Sequence, residues 1–300
     1  MTLIAPTSST ESELSGPPAI GNEFPSARFS LCETLKRMKA PIVSILAKSV
    51  ALLLAIGTLT AHAADQPKKL LLVTVTKGFR HSSIPTAIKV IGDLAEKSKA
   101  FTIDIVFNDD DLMAKTTAEK LKGYDGFIFA NTTGVLPLAD KQAFLNEIKG
   151  GKAFIGMHSA SDTFPVKQGV DPYIEMLGGE FQTHGSQVGV ECLVQDGKHP
   201  AVKHFGEAFC MEKEEIYLLK NYDRTKVRDL LVLDKHPNKK KEAGHFPIAW
   251  CKDYGTGKVF YTSLGHREDV WENKAYQEHI LGGIKWALGL VPGESIPHAK

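Results

Sequence analysis

Short apolar runs separated by stretches of helical spacing constrain this chain more than any other feature in it. Residues 68–76 (KKLLLVTVT) show no polar alternation until their end, as expected of a strand covered on both faces. Residues 125–130 (DGFIFA) and 152–157 (KAFIGM) read the same way, and 101–107 (FTIDIVF) alternates as a strand. Between the first two runs, Ile84, Ala87, Ile88, Ile91, Leu94 and Ala95 form one helical stripe, with Pro85 in the first turn, where a missing amide does no harm. A weak helix ends at Leu121 and another spans 138–148. This rhythm predicts an α/β fold, a mostly parallel sheet with helices on both faces.

The second half is richer in strands: 188–194, 209–219, 230–234, then 247–251 and 258–263 around Tyr254-Gly255-Thr256-Gly257. The glycines supply the positive φ of a tight antiparallel hairpin. An amphipathic helix over 276–288 closes the chain. No repeat or long linker divides residues 65–300, which are read as a single domain.

The first 64 residues read as an address. Residues 49–60 (SVALLLAIGTLT) form an uninterrupted apolar run of 12 residues, too short to cross a bilayer. Lys36, Arg37 and Lys39 precede it and Ala61-His62-Ala63 follows, the order of a signal peptide cleaved after Ala63. Translation from Met38 would give that peptide an ordinary size and make 1–37 an extension. A retained membrane anchor is the alternative. The expected site of action is periplasmic or secreted, with no stable membrane span in the mature chain.

Removing residues 1–64 takes five bases and four acids from the 36 and 35 of the whole chain, leaving 31 of each. Zero net charge gives no reason to expect nucleic acid as a partner and fits a neutral polar ligand such as a small carbohydrate; it is compatible with a homo-oligomer. Cys192, Cys210 and Cys251 remain, so at most one disulfide can form, and buried thiols are expected.

Ligand sites in such folds lie at the carboxyl ends of the strands. Four loops qualify there, 77–83, 131–135, 158–164 and 264–269, and three of them contain histidine. Gly156-Met157-His158-Ser159-Ala160 has the small flanking residues of a nucleophile elbow, with His158 at the exposed position. Leu264-Gly265-His266-Arg267-Glu268 places a second imidazole and a carboxylate at the same edge.

These segments resemble the ThuA-like (trehalose utilisation) family. The resemblance runs from about residue 69 to 289. It is carried by Gly78-Phe79-Arg80-His81-Ser82, the block 154–164 (FIGMHSASDTF), Leu177-Gly178-Gly179-Glu180-Phe181 with His184, and His199-Pro200. Further on it includes 247–251 (PIAWC), the segment from Tyr254 to His266, and Leu281-Gly282-Gly283-Ile284 with Trp286-Ala287. It implies a class I glutamine amidotransferase-like fold. In that superfamily the elbow residue is a cysteine, with a His-x-Glu pair after a later strand; here His266 and Glu268 match the pair and His158 stands where the cysteine would be. Without the sulfur no glutamyl thioester forms, and glutaminase activity is not expected.

The resemblance also implies a role in handling disaccharides or their keto derivatives. A hydroxyl oxidised to a ketone acidifies the neighbouring C–H, and imidazole is suited to removing that proton at neutral pH. The expected catalytic set is His158 as base and His266, oriented by Glu268, as acid. Amides near Thr133 and Gly134 would stabilise an enolate, and Arg80, His81, Asp162, His184 and Trp271 would contact substrate. Trp271 is the stacking candidate; Trp250 and Trp286 are expected in the core, while Tyr173 is a second aromatic candidate for the cleft. Two alternatives stand beside this reading. His81, His158, His184 and His266 could hold a divalent metal such as zinc in a hydrolase, or the cleft could bind sugar without transforming it. His199 and His236, each before proline, are expected in turns, and no role is given to His204, His245 or His279.

Overall fold

The structure, a computed structural model, describes residues 66–240 and 242–298; the leader, Met38 and the cleavage position after Ala63 lie outside the described residues. Five strands form the parallel half of a nine-stranded mixed sheet: β1 (Lys68–Val73), β2 (Phe101–Val106), β3 (Gly126–Ala130), β4 (Ala153–Met157) and β11 (Gly257–Thr262). They lie in the order β2-β1-β3-β4-β11, every neighbouring pair parallel. The apolar runs are explained by their position. Leu70 and Leu72 pack on one face, Leu71 and Val73 on the other, and all four are fully buried.

Helices cover both faces. Helix α1 (Ile84–Ser98) buries Ile84, Ala87, Val90, Ile91, Leu94 and Ala95, nearly the stripe read from the sequence, with Pro85 in its first turn. Helices α2 (Asp109–Lys115) and α3 (Ala118–Leu121) follow β2, and α4 (Lys141–Lys149) precedes β4. Helix α4 starts later than its apolar pattern because Asp140 caps it, accepting from the Ala143 amide. A 3₁₀ turn, His158–Asp162, leaves β4, and α5 (Pro172–Leu177) leads into β5 (Glu180–His184).

The other half of the sheet is antiparallel, continuing from β11 through β10 (Ala243–Tyr254) and β9 (Arg228–Lys235) to β6 (Val188–Val194) and β7 (Ala208–Glu214). The expected hairpin joins β10 to β11 through Gly255 at φ 65°. Gly257 is needed for a different reason: a Cβ there would stand 1.9 Å from the Ile148 carbonyl oxygen. The run read as one strand over 209–219 is broken at Glu215-Ile216. Its second part, β8 (Tyr217–Lys220), leaves the main sheet and pairs with β5 in a two-stranded sheet. Helices α6 (Glu268–Glu272) and α7 (Lys274–Ala287) close the fold. Trp250 and Trp286 are buried in the core as expected; Cys192 and Cys251 are buried, and the three described cysteines are free. No helix among the described residues is long and apolar enough to cross a membrane.

The chain steps from β1 outward to β2, then back past β1 to β3 and β4. Such a reversal opens a crevice at the carboxyl ends of the strands, and the loops after β1, β3, β4 and β11 meet there.

Two histidines packed away from this edge make the fold acid-sensitive. His279, on α7, donates from Nδ1 to the Ala201 carbonyl at 2.8 Å, and its Nε2 has no hydrogen-bond partner among the described residues. Burial pushes it down to about 3, and pushes His199 down to about 4. Both are therefore neutral when folded but take up protons below about 6.5 when unfolded. The stability they allow is complete above that pH and is lost as the pH falls towards their folded values. His279 alone contributes a slope of about 1.4 kcal/mol per pH unit in that window. Denaturant titrations between pH 7 and 4 are expected to show His279→Asn, whose amide can replace the Nδ1 donor, losing less stability than the wild type as acid is added.

Candidate functional site

Four side chains from four separate segments converge at the carboxyl edge. His81 comes from the loop after β1, His158 from the end of β4, Glu215 from the break between β7 and β8, and His266 from the loop after β11. One nitrogen or oxygen of each lies within 4.8 Å of those of the other three. His158 Nε2 is 3.1 Å from His81 Nε2, 3.3 Å from His266 Nδ1 and 3.7 Å from Glu215 Oε1. His266 Nδ1 is 3.4 Å from the same Glu215 oxygen.

His158 occupies the elbow read from the sequence. It has φ 52°, in the left-handed region that a side chain enters at a cost. Gly156 makes room for the turn, since a Cβ there would stand 2.9 Å from Leu177 and 3.0 Å from Tyr261. The turn is held by Tyr261, whose hydroxyl donates to the His158 carbonyl at 2.8 Å. His158 Nδ1 donates to the Ser263 carbonyl at 2.8 Å, which leaves Nε2 as the lone-pair nitrogen of the neutral ring. The Tyr217 hydroxyl reaches that nitrogen at 2.8 Å. The ring has no exposed surface.

Gly265 and His266 are fixed through their backbone. The buried Glu214 carboxylate accepts from the Gly265 amide at 3.0 Å and from the Glu215 amide at 2.7 Å, so one side chain ties together the segments carrying Glu215 and His266. The Gly265 carbonyl accepts from Trp271 Nε1 at 2.8 Å and Asn131 Nδ2 at 3.1 Å, and the His266 carbonyl accepts from Ser83 at 2.8 Å.

Burial decides the charge states. It pushes His158 well below the usual imidazole range, with the neighbouring His81 ring adding to the effect. His81 is lowered to about 4 by burial and then by His266. His266 goes the other way: burial lowers it, but the hydrogen bond and charge of Glu215, followed by the charges of Glu214 and Glu268, outweigh that and raise it. Glu214 is raised to about 7 by burial against its two backbone donors.

A cavity of about 190 Å³ opens in front of the cluster, lined by His81, Glu215 and His266, together with Phe79, Thr133, Ser159, Asp162, Phe181, His184 and Tyr217. Of the residues singled out in the sequence, His81, Thr133, Asp162, His184 and His266 therefore share one space. His184 is exposed on β5 and meets the far oxygen of Glu215 at 3.1 Å, so Glu215 takes the fourth place in the cluster in its stead.

Other expectations are corrected. Glu268 is exposed in the first turn of α6 and accepts a hydrogen bond from Ser82; the carboxylate against His266 is Glu215. Trp271 is fully buried and Tyr173 donates to the Ala160 carbonyl from inside the core, so neither stacks in the cleft. Arg80 is exposed and lines a separate groove with Phe107 and Asp109. The Gly134 amide is taken by the Asp162 carbonyl at 2.8 Å and is not free to stabilise an enolate.

A family model described as ThuA, trehalose utilisation, matches residues 69–287. The chain belongs to the ThuA family. Among solved structures, a ThuA-like protein of Parabacteroides merdae is similar with a TM-score of 0.62 and 19% identity, over 76% of this chain and 92% of that one. A ThuA-like protein of Bacteroides uniformis gives 0.59 and 22%, over 76% and 94%. These likenesses place the fold. No curated protein matches the chain.

In this ThuA chain the sequence reading missed Glu214, Glu215 and Tyr217. Their signal was the charged run Glu212-Lys213-Glu214-Glu215 between two apolar stretches, where a continuous strand would leave two adjacent carboxylates to be accommodated on opposite faces. The electrostatics yield a direct comparison. In chelator-treated protein, Glu215→Gln is expected to lower the His266 titration midpoint seen by imidazole NMR, whereas Glu268→Gln, whose charge is the smallest of the acidic contributions, moves it much less.

Proposed function

We propose that this ThuA chain is a metal-dependent enzyme acting on a carbohydrate, with His81, His158, His266 and Glu215 as ligands of a divalent cation of zinc's kind. The observation that carries the reading is the convergence of four donor atoms, two of them on buried imidazoles held neutral. Three nitrogens and one carboxylate oxygen are a donor set that suits zinc. The spacing fits as well. Bonds of about 2.1 Å at tetrahedral angles put ligand atoms about 3.4 Å apart, against 3.1, 3.3, 3.4 and 3.7 Å for His158–His81, His158–His266, His266–Glu215 and His158–Glu215, with no pair of the four atoms beyond 4.8 Å. The Nδ1 bond from His158 to Ser263 orients its ring with Nε2 forward, as ligating histidines require.

Such a cation, when bound, would supply Lewis-acid polarisation of a sugar carbonyl or hydroxyl oxygen, provided that oxygen displaces the Glu215 carboxylate or joins the four residues as a further donor. The remaining chemistry belongs to the chain. Asp162, on the cavity wall, is raised to about 6 by burial and then by the charge of Glu180, with Lys220 opposing. A carboxyl group at that midpoint can take a proton from a C–H beside a ketone, or return one to a leaving oxygen, near neutral pH. His184, held on the outer oxygen of Glu215, borders the same space and can bind a hydroxyl. The leader supports an exported, periplasmic or secreted, site of action by its sequence alone.

A second reading needs no metal: His158 takes a proton and His266 gives one. The opposite displacement of their basicities favours it. It requires a substrate atom to reach His158 Nε2, which lies behind His81, Tyr217 and His266 on a ring with no exposed surface. An ion reaches that nitrogen more easily than a sugar carbon does.

Elemental analysis of protein purified without a histidine tag is expected to find about one transition-metal ion per chain. His81→Ala and Glu215→Gln are each expected to weaken zinc binding at least ~100-fold. Protein that carries no such ion and takes none up from added zinc would overturn the proposal and leave the proton-transfer reading.

A further inference from the structure

We propose that the cavity is a subsite for one uncharged sugar ring and that Phe79 is its stacking platform, with the second ring of a disaccharide left in solvent beyond the cavity mouth. This rests on the carbohydrate reading above but does not depend on the metal.

Phe79 is 66% exposed, and its backbone is nevertheless pinned on both sides. The Gly78 amide donates to the Thr133 hydroxyl at 3.0 Å, and that hydroxyl donates to the Phe79 carbonyl at 3.1 Å. The phenyl ring stands at 81° to the His81 ring, centroids 4.8 Å apart, so it borders the cluster directly. Its exposure alone would mean little, since Phe107 is more exposed still; what sets Phe79 apart is that it lines a concave site together with Phe181 and the cluster. Phe181 forms part of the cavity wall, 4.6 Å from the Tyr217 ring.

The ligand chemistry follows from the lining. Aromatic rings accept the C–H face of a pyranose, and Asp162, Glu215, Thr133 and Ser159 face the same space to meet its hydroxyl edge. Among the described residues no lysine or arginine lines the cavity to hold a phosphate or carboxylate. Lys220, close enough to act on Asp162, is paired with Glu180 at 3.0 Å. At about 190 Å³ the cavity is smaller than the ~300–1,000 Å³ that takes a drug-sized ligand, which limits it to one ring.

Saturation-transfer NMR on the purified full chain with methyl α-glucoside, trehalose and glucose 6-phosphate tests this, with metal content measured on every sample. The two neutral sugars are expected to bind, trehalose through the C–H protons of one ring, and the phosphate more weakly. Phe79→Ala is expected to lower neutral-sugar affinity about tenfold with metal content unchanged, and Phe79→Trp to retain it. Absence of neutral-sugar binding, equal saturation of both rings, tighter binding of the phosphate, or unchanged affinity in Phe79→Ala would overturn the proposal. Protein that takes up no zinc yet still binds sugar through Phe79 would sink the metal reading and leave this one standing; metal-loaded protein indifferent to Phe79→Ala would do the reverse.

Discussion

Two imidazole nitrogens 3.1 Å apart, both on rings that burial keeps uncharged, set the terms for everything around them. Lone pairs facing each other at that distance repel unless a proton or a cation lies between them. A third imidazole and a carboxylate then close on the same point. The remainder of the site consists of devices that prevent these groups from turning away.

Those devices explain why so many polar groups are buried at one edge of the sheet. His158 is presented by a left-handed turn that costs of order 1–3 kcal/mol, offset by the Tyr261 hydroxyl on its carbonyl and the Ser263 carbonyl on its ring. His266 is set by bonds to the carbonyls and amide around it, from Ser83, Asn131, Trp271 and Glu214. Glu214 links two members of the cluster at once: its carboxylate fixes the amide of Glu215 and the amide just before His266. A buried carboxyl group is expensive, and joining chain segments this far apart in sequence is a use that accounts for its presence.

The sequence showed those parts of the fold whose physics is local. Apolar runs covered on both faces, the stripe of α1 and the glycine hairpin depend on periodicity and backbone freedom, and each appeared where expected. His158 was legible because the small residues around it mark a sharp turn, and His81 and His266 because they follow apolar strands. Glu215 and Tyr217 were not, because their place depends on the chain leaving one sheet for another between β7 and β8, which no local pattern encodes. Trp271 was misplaced for the converse reason. A tryptophan after a site loop looks like a platform, yet its indole N–H is what the Gly265 carbonyl requires, and meeting that need draws the ring into the core.

The elbow shows how one backbone device serves different chemistries. A strained turn at the end of a central strand pushes one side chain towards the crevice and fixes its direction before any ligand arrives. With a thiolate in that position the preorganisation serves attack, and a single neighbouring base suffices. With an imidazole the same turn sets a lone pair in place, which becomes useful when other donors meet it at bonding distance. Glu215 supplies what Glu268, two residues after His266, does not: a carboxylate oxygen 3.4 Å from His266 and 3.7 Å from His158, delivered from the break between β7 and β8. The imidazole at the elbow therefore works together with the break between β7 and β8, since that break delivers the carboxylate that completes the cluster.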